Sequence, residues 1–229
     1  MNIHLIINNF LIILQGLDET LILIFLSLII GFFISIPFAL ARVSSIKILS
    51  QSVYYYIFVI RGTPLLVQIY LIYFGLGSIK AVRESFLWIL LREPFWCGVI
   101  ALVINTVAYT TEIFRGGIQS VTKGQIESCK SLGMNKFTMY FKIILPCAFR
   151  QALPAYGNEM ILMVKATSLV SLTTYMEMTG IARRIMAVTW APVEAFAAAG
   201  ILYLLLNFLM VQFIKYLEWK YNPHLRVTR

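Results

Sequence analysis

The chain has 229 residues, of which 60% are apolar and only 13% are charged, with a mean hydropathy of +0.83 and a net charge of +9. Soluble domains are about 45–50% apolar and about 25% charged, so this composition excludes a soluble globular protein, and it also excludes intrinsic disorder. Three scattered cysteines, Cys97, Cys129 and Cys147, exclude a disulfide scaffold. We therefore predict an all-α polytopic membrane protein.

Five stretches are long enough to cross a bilayer, which takes about 20 mostly apolar residues. They are approximately residues 17–41, 54–76, 95–114, 153–174 and 195–217. The second contains Arg61-Gly62-Thr63-Pro64, where we expect a broken helix, and the fourth contains Glu159 and Lys165. Residues 1–14 are apolar but too short to span. Since they lack a cationic n-region and a small-residue cleavage site, we predict an interfacial helix on the outer surface instead of a signal peptide.

The distribution of Lys and Arg predicts the orientation, because cytoplasmic loops are enriched in these residues. With five spans, twelve of the 19 cations fall on one side and five on the other, while Arg61 and Lys165 lie within spans. The richer side carries the segment between spans three and four and the C-terminal tail. We therefore predict a periplasmic N-terminus and a cytoplasmic C-terminus. The basic charge then reflects topology and gives no reason to expect nucleic acid as a partner.

Residues 116–152 form a long cytoplasmic segment of mixed polarity, and loops of this length are usually functional. Apolar or small residues recur in it at helical spacing, at Ile126, Cys129, Leu132 and Gly133 and then at Phe137, Tyr140, Phe141 and Ile144. Pro146 and Pro154 predict breaks before the fourth span. The pattern indicates two short helices that meet at Gly133 and form a knob for docking another protein. An amphipathic helix resting on lipid headgroups is equally compatible with the periodicity.

The spacing within this segment resembles the cytoplasmic motif of permeases of ATP-binding-cassette (ABC) importers. In that motif Glu-Ala-Ala is followed after three residues by Gly, and nine residues later by Ile-x-Leu-Pro. The corresponding residues here are Glu127, Ser128, Cys129, Gly133, Ile143, Leu145 and Pro146. Ser-Cys replaces Ala-Ala. Because both replacements are small, we expect close helix contact at this position to survive.

The resemblance covers most of the chain. Residues 61–66, residues 108–117, and Asn158-Glu159 with residues 165–169 resemble the polar amino-acid permeases of that superfamily. Residues 87–133 are most similar to the M-type permease subunit of histidine/arginine importers. The resemblance implies a MetI-like type I permease that forms a single transmembrane domain over residues 1–229.

The resemblance also implies a function, namely half of a pathway that carries a polar, basic amino acid such as arginine, histidine or lysine across the bacterial inner membrane. Its implied partners are a cytoplasmic ATPase dimer, a second permease that is homologous but different, a periplasmic amino-acid-binding protein and membrane lipid. The Glu127–Gly133 helix would insert into a cleft of the ATPase, which would bind ATP and magnesium. This chain itself would bind no cofactor and would not be an enzyme. It has no G-x-x-x-x-G-K-[ST] motif, since Gly75–Lys80 has the wrong spacing.

Polar residues within the spans are candidates for lining the pathway, because charges in lipid are costly and usually face a cavity. The candidates are Arg61, Asn105, Tyr109, Asn158, Glu159, Lys165, Ser168 and, at the outer mouth, Glu177. Some have plainer interpretations. Arg61 can reach the inner headgroups, the stripe of Asn105, Tyr109 and Glu112 can serve interhelical hydrogen bonding, and Glu112 can pair with Arg115.

Three of these candidates are charged and lie in the fourth span or at its outer end. Glu159 and Lys165 lie six residues apart on different helix faces, so each requires a partner on another helix. Glu177 either attracts a cationic side chain at the outer mouth or is a solvated loop carboxylate near Arg183 and Arg184.

Other functional classes receive less support. Only His4 and His224 are available, both near the ends, and the cysteines lack metal-ligand spacing, so we expect no metal site and no catalytic residues. An ion-coupled secondary transporter or channel, with Glu159 and Lys165 as relay groups, remains an alternative that leaves the cytoplasmic motif unexplained. An intramembrane enzyme would need a nucleophile with a base, or a pair of carboxylates, and the sequence offers neither. A purely structural subunit does not explain the polar fourth span.

Overall fold

A computed structural model describes residues 3–221, and this part of the chain is helical and contains no β-strand. Its helices are α1 (Ile3–Leu14), α2 (Leu17–Arg42), α3 (Lys47–Gly62), α4 (Leu65–Tyr70), α5 (Leu76–Ser78), α6 (Lys80–Arg83), α7 (Trp88–Leu91), α8 (Pro94–Gln119), α9 (Lys123–Ser131), α10 (Lys136–Met139), α11 (Leu145–Ala166), α12 (Met178–Thr189) and α13 (Pro192–Tyr221). Leu71–Gly75 and Tyr140–Ile144 are π-helical turns, and Thr167–Thr173 is a 3₁₀ helix. The predicted all-α class is confirmed.

Three helices within the described residues, α2, α8 and α13, are long and apolar enough to cross a membrane. Helix α3 and the run Leu65–Ser78 add a fourth span if they are counted together. The predicted fourth span corresponds mainly to α11, which is long enough but carries Glu159 and Lys165 and does not reach the same hydropathy. The five-span count and the sides of the termini therefore stay predictions. The tail residues on which part of that orientation rests, Arg226 and Arg229, and also His224, lie outside the described residues.

The helix break predicted beside Arg61 is confirmed. Helix α3 ends at Gly62, Thr63 and Pro64 are extended, and the chain resumes in α4 at an angle of 102°. Proline disfavours helical geometry at the preceding residue, which explains why the helix stops before Pro64. The break places the Arg61 guanidinium against Tyr109 of α8.

Helix α8 is the centre of the fold, packed between α2 and α11. Small residues permit the close crossings. A Cβ atom at Gly31 of α2 would lie 2.3 Å from Thr106 Cγ2, and one at Gly117 would lie 2.4 Å from the carbonyl oxygen of Ala148 in α11. These contacts are shorter than any Cβ tolerates, so the crossings require glycine. Helix α8 can therefore present polar side chains to both neighbours.

The N-terminal helix α1 packs against α12 and α13 and does not lie apart from the bundle. Asn9 and Ile13 are buried in that contact, whereas Leu11 on the other side is exposed. Helix α1 is apolar but too short to span, as expected. Its predicted interfacial position on the outer surface stays a prediction.

Residues 116–152, the segment predicted to be cytoplasmic, contain the two short helices predicted to meet at Gly133. Gly133 has φ = +73°, and its N–H and that of Met134 bond to carbonyls of the last turn of α9. This left-handed position favours glycine, which carries no Cβ penalty there.

The breaks expected at Pro146 and Pro154 are wrong, because helix continues from Lys136 to Ala166. Pro146 falls in the first turn of α11, directly after a π-helical turn whose wider hydrogen bonding accommodates the missing donor.

Candidate functional site

A cavity of about 670 Å³ lies where the α3–α4 corner, α8, α11 and the following 3₁₀ helix meet. Six of the eight predicted pathway residues line it, namely Arg61, Asn105, Tyr109, Glu159, Lys165 and Ser168. The remaining wall is largely apolar and includes Leu102, Leu162 and Met163. The fold therefore brings most of the polar candidates from three separate spans to one surface.

Arg61 is held in the cavity by an aromatic ring. Its guanidinium carbon lies 4.9 Å from the centroid of the Tyr109 ring, a cation–π geometry. A guanidinium stacked in this way keeps its edge donors free for an anionic or carbonyl group. The cavity wall therefore includes an oriented permanent cation at the helix break.

Glu159 supplies the carboxylate of the cavity and is only 6% exposed. Its Oε1 accepts a hydrogen bond from Thr106 Oγ1 at 2.8 Å, and that hydroxyl lies 3.4 Å from the hydroxyl of Thr110. A buried carboxylate is tolerated only when such partners replace water. Thr106 is not among the predicted pathway residues, although it lies beside Asn105 and four residues before Thr110 on α8.

Asn105 joins the broken helix to α8 through Gln68. Asn105 Nδ2 donates to Gln68 Oε1 at 3.0 Å, and Gln68 Nε2 donates to the carbonyl oxygens of Ile60 at 2.8 Å and Thr63 at 3.1 Å. Gln68 thus satisfies carbonyls that the break removed from the helix ladder. Gln68 is also not among the predicted pathway residues, although it is the one amide in the otherwise apolar or aromatic run 65–74.

Two predicted residues do not line this cavity. Asn158 is exposed on another face of α11. Glu177 is fully buried, and its carboxylate caps α12 by accepting the N–H groups of Thr179 and Gly180 at 2.9 Å each and the Tyr203 hydroxyl at 2.6 Å. Burial raises the pKa of the Glu177 carboxyl, although these hydrogen bonds act in the opposite direction. Its predicted exposure at the outer mouth is corrected, since the helix cap draws the carboxylate inward.

Glu112 pairs with Arg115, as the alternative interpretation of the α8 stripe predicts. Arg115 Nη2 lies 2.7 Å from Glu112 Oε2, and Arg115 Nε donates to both carboxylate oxygens. Glu112 does not line the main cavity and belongs to a charged cluster with Arg115 and Arg42.

The side chains of residues 116–152, the segment predicted to be cytoplasmic, fall on two faces. Cys129 packs inward with Val121, Met139 and Ile144, which agrees with the small residue expected at this position. Glu127, Ser128, Gly133 and Pro146 are exposed, while Ile143 and Leu145 are partly buried. Within the ABC-permease motif, Cys129 is thus buried, and Glu127 and Ser128 form an exposed polar edge.

The apolar stripe predicted for this segment is only partly buried. Leu132 is 80% exposed and Phe137 71%, and the Phe137 and Phe141 rings lie 4.4 Å apart on the surface. A π-helical turn at Tyr140–Ile144 interrupts the α-helical spacing of the stripe. The segment therefore presents an exposed apolar patch, formed by Leu132, Phe137 and Phe141, beside its polar edge.

Within residues 3–221, no three His, Cys, Asp or Glu side chains are close enough to hold a metal ion. The chemical groups available in the cavity are cations, one carboxylate, an amide and hydroxyls. Such a set can bind a zwitterionic or charged solute by hydrogen bonds and charge.

Comparison with known proteins identifies the family. The family described as "Binding-protein-dependent transport system inner membrane component" matches residues 27–222. The nopaline transport system permease protein NocM of Agrobacterium fabrum is 48% identical over 99% of this chain and 94% of its own length. The octopine permease OccM of Rhizobium radiobacter is 46% identical over 96% and 90%. The histidine/lysine/arginine/ornithine permease HisM of Escherichia coli K12 is 40% identical over 92% and 89%.

Solved structures agree with this match. The crystal structure of an amino acid ABC transporter with histidines superposes with a TM-score of 0.80 at 37% identity, over 91% of this chain and 94% of that one. The MetNI methionine ABC transporter superposes with a TM-score of 0.78 at 14% identity, over 92% and 96%, and supports the fold alone. The resemblance to ABC-importer permeases with a MetI-like fold is therefore confirmed. The chain belongs to the family of binding-protein-dependent transport system inner membrane components and is a multi-pass permease of the bacterial inner membrane.

Proposed function

We propose that this chain forms one half of the translocation pathway of an ATP-driven importer for a basic amino acid. The observation that carries the proposal is the cavity at the α3–α4 corner, which is lined by Arg61, Lys165 and Glu159. An amino acid presents a carboxylate and an ammonium group. Arg61 or Lys165 suits the carboxylate, and Glu159 suits the ammonium group or a cationic side chain. A volume of about 670 Å³ lies within the usual range of about 300–1,000 Å³ for small-molecule sites.

A second permease completes the pathway in this proposal. Lys165 is exposed at the cavity wall and requires a partner or a solvated route. A facing subunit, homologous to this chain but different, supplies the other wall. The five predicted spans, with a periplasmic N-terminus and a cytoplasmic C-terminus, place the cytoplasmic segment on the side where ATP is available.

The cytoplasmic segment docks into the ATPase dimer in this proposal. Glu127 offers a carboxylate to basic or amide groups, and the exposed apolar patch of Leu132, Phe137 and Phe141 offers area to bury. Closure of the ATPase then moves this segment and, through the continuous helix from Lys136 to Ala166, the cavity wall that carries Glu159 and Lys165. A periplasmic amino-acid-binding protein delivers the substrate.

An opine is the second candidate substrate. The permeases named for nopaline and octopine are 46–48% identical to this chain, compared with 40% for the permease named for histidine, lysine, arginine and ornithine. Both candidates use the same cavity and the same ATPase coupling, and they differ only in the delivered solute.

The test is reconstitution of the chain with its ATPase, second permease and binding protein in liposomes, followed by uptake of labelled arginine, lysine, histidine, octopine and nopaline. We expect ATP-dependent uptake that stops when the ATPase cannot hydrolyse ATP. Glu159→Gln should reduce uptake, while Glu84→Gln, at an exposed carboxylate paired with Lys80, should not. Uptake driven by an ion gradient without ATP would instead support the secondary transporter.

A further inference from the structure

A second charged cavity, of about 480 Å³, adjoins the first and is lined by Arg42, Arg61, Glu112, Arg115 and aromatic side chains. We propose that this cavity is an anion site that receives the carboxylate of the amino acid after it leaves Arg61. Arg61, Gly62 and Tyr109 line both cavities, so the two sites share a wall. The proposal rests on the proposed function, because it concerns the next position of the same solute.

Positively charged side chains outnumber negatively charged ones in the lining of this cavity. It contains three guanidinium groups and one carboxylate, and Arg115 already occupies both oxygens of Glu112. Arg42 Nε lies 3.8 Å from Glu112 Oε1, is shielded from solvent and forms no hydrogen bond with any residue of the described part. The cavity therefore keeps an excess of positive charge together with an unused donor.

The guanidinium groups of Arg42 and Arg61 also have neutral partners. The Arg42 guanidinium carbon lies 5.0 Å from the centroid of the Tyr54 ring, and Arg42 Nη1 donates to Ser50 Oγ at 3.0 Å. Arg61 stacks on Tyr109 in the same manner. Rings and hydroxyls orient a guanidinium without neutralising it. A planar fork held in this way matches a carboxylate or a phosphate.

The first experiment measures the charge of the cavity without any transported solute. In the assembled transporter in nanodiscs, the three natural cysteines are replaced and the substitution Phe58→Cys places a single thiol on the cavity wall. The readout is the rate of modification by an anionic sulfonatoethyl reagent relative to a cationic trimethylammonioethyl reagent. We expect Arg42→Gln to lower this ratio by roughly fivefold or more, and Lys47→Gln, an exposed cation outside the cavity, to change it less than about twofold. An unchanged ratio in Arg42→Gln overturns the anion site.

The second experiment identifies the anion by protection of the introduced thiol from modification in the same Phe58→Cys background. We expect arginine to slow the reaction and agmatine, which lacks the carboxylate, to have no effect. Arg42→Lys should keep the charge ratio but lose most of the protection, because an ammonium group lacks the planar fork. Protection by inorganic phosphate, or by phosphatidylglycerol in the nanodisc, in place of arginine overturns the carboxylate assignment.

The two proposals fail separately. The charge ratio requires no substrate, so its failure removes only the second site. Absence of ATP-driven uptake in the reconstituted transporter removes the proposed function.

Discussion

The guanidinium carbon of Arg61 lies 4.9 Å from the ring centroid of Tyr109. This pair joins the end of α3 to α8 and forms the common wall of the two polar cavities. The helix break at Pro64 exposes Arg61, and the ring of Tyr109 orients it. Arg61, whose position in the sequence also allows it to reach the headgroups, is exposed at the wall of both cavities, where the Tyr109 ring orients it.

The ring of Tyr109, and not its hydroxyl, should be needed for transport. Tyr109→Leu removes the π-face under Arg61, and a cation–π contact contributes about 0.5–2 kcal/mol. We expect several-fold slower ATP-dependent uptake in proteoliposomes for Tyr109→Leu. Tyr109→Phe keeps the face and should transport at close to the wild-type rate, so equal loss in both variants would contradict a role for the stacking.

Gln68 should stabilise the corner between α3 and α4. Gln68→Leu keeps the size of this buried side chain but leaves the carbonyls of Ile60 and Thr63 and the Asn105 amide without these hydrogen bonds. Each unsatisfied buried group costs about 1–3 kcal/mol. We expect a lower midpoint of thermal unfolding for the purified complex. The neighbouring Val67→Ala, on an exposed face, is the control and should leave the midpoint nearly unchanged.

Two buried threonines of α8 allow a matched test of the Glu159 site. Thr106→Val removes the donor to Glu159 Oε1, and we expect it to destabilise the complex by about 1–3 kcal/mol and to reduce uptake. Thr111 is equally buried, but its hydroxyl has no hydrogen-bond partner within residues 3–221. Thr111→Val should therefore be neutral or stabilising. Similar losses in both variants, measured by thermal unfolding, would remove the assigned role of Thr106.

Gly133→Ala tests the turn of the cytoplasmic segment. Gly133 has φ = +73° and no neighbouring heavy atom within 4 Å of a built Cβ, so only backbone strain of about 1–2 kcal/mol opposes the substitution. We expect weaker association with the ATPase and lower substrate-stimulated ATP hydrolysis. Gly124→Ala, in open space on helix α9, should be neutral or stabilising. Coupling that is unaffected by Gly133→Ala would show that this turn is not required for docking.

Glu177 should make stability depend on pH. Burial raises the pKa of its carboxyl, so the folded state binds a proton at pH values where the unfolded chain, with a pKa of about 4.3, has released it. This contribution to stability is complete below the unfolded pKa and is lost as pH rises through the folded pKa. Thermal unfolding across this pH range should show a shallower decline for Glu177→Gln than for the wild type. Glu84→Gln, at an exposed carboxylate, should retain the wild-type slope.

The family followed from the resemblance of the spaced motifs, whereas composition and spacing were enough to predict the membrane class, the helix break at Pro64 and the turn at Gly133. These features depend on local chemistry, because an apolar run, a proline or a glycine acts on its own segment. Most of the residues predicted to line the pathway also line one cavity, because a charged side chain within an apolar span is costly unless it faces a cavity or a partner.

Only the tertiary structure decided which partners those residues take. Gln68 meets Asn105 across 37 residues, and Thr106 meets Glu159 across 53, so no periodicity along one helix reveals either pair. The same holds for Glu177, which capping turns inward, and for Phe137 and Phe141, whose rings stay exposed on the surface. The sequence by itself determined that polar side chains occur within apolar helices. How the helices cross determined which of them are buried in hydrogen bonds and which face a cavity, because these contacts depend on distances between segments and not on order along the chain.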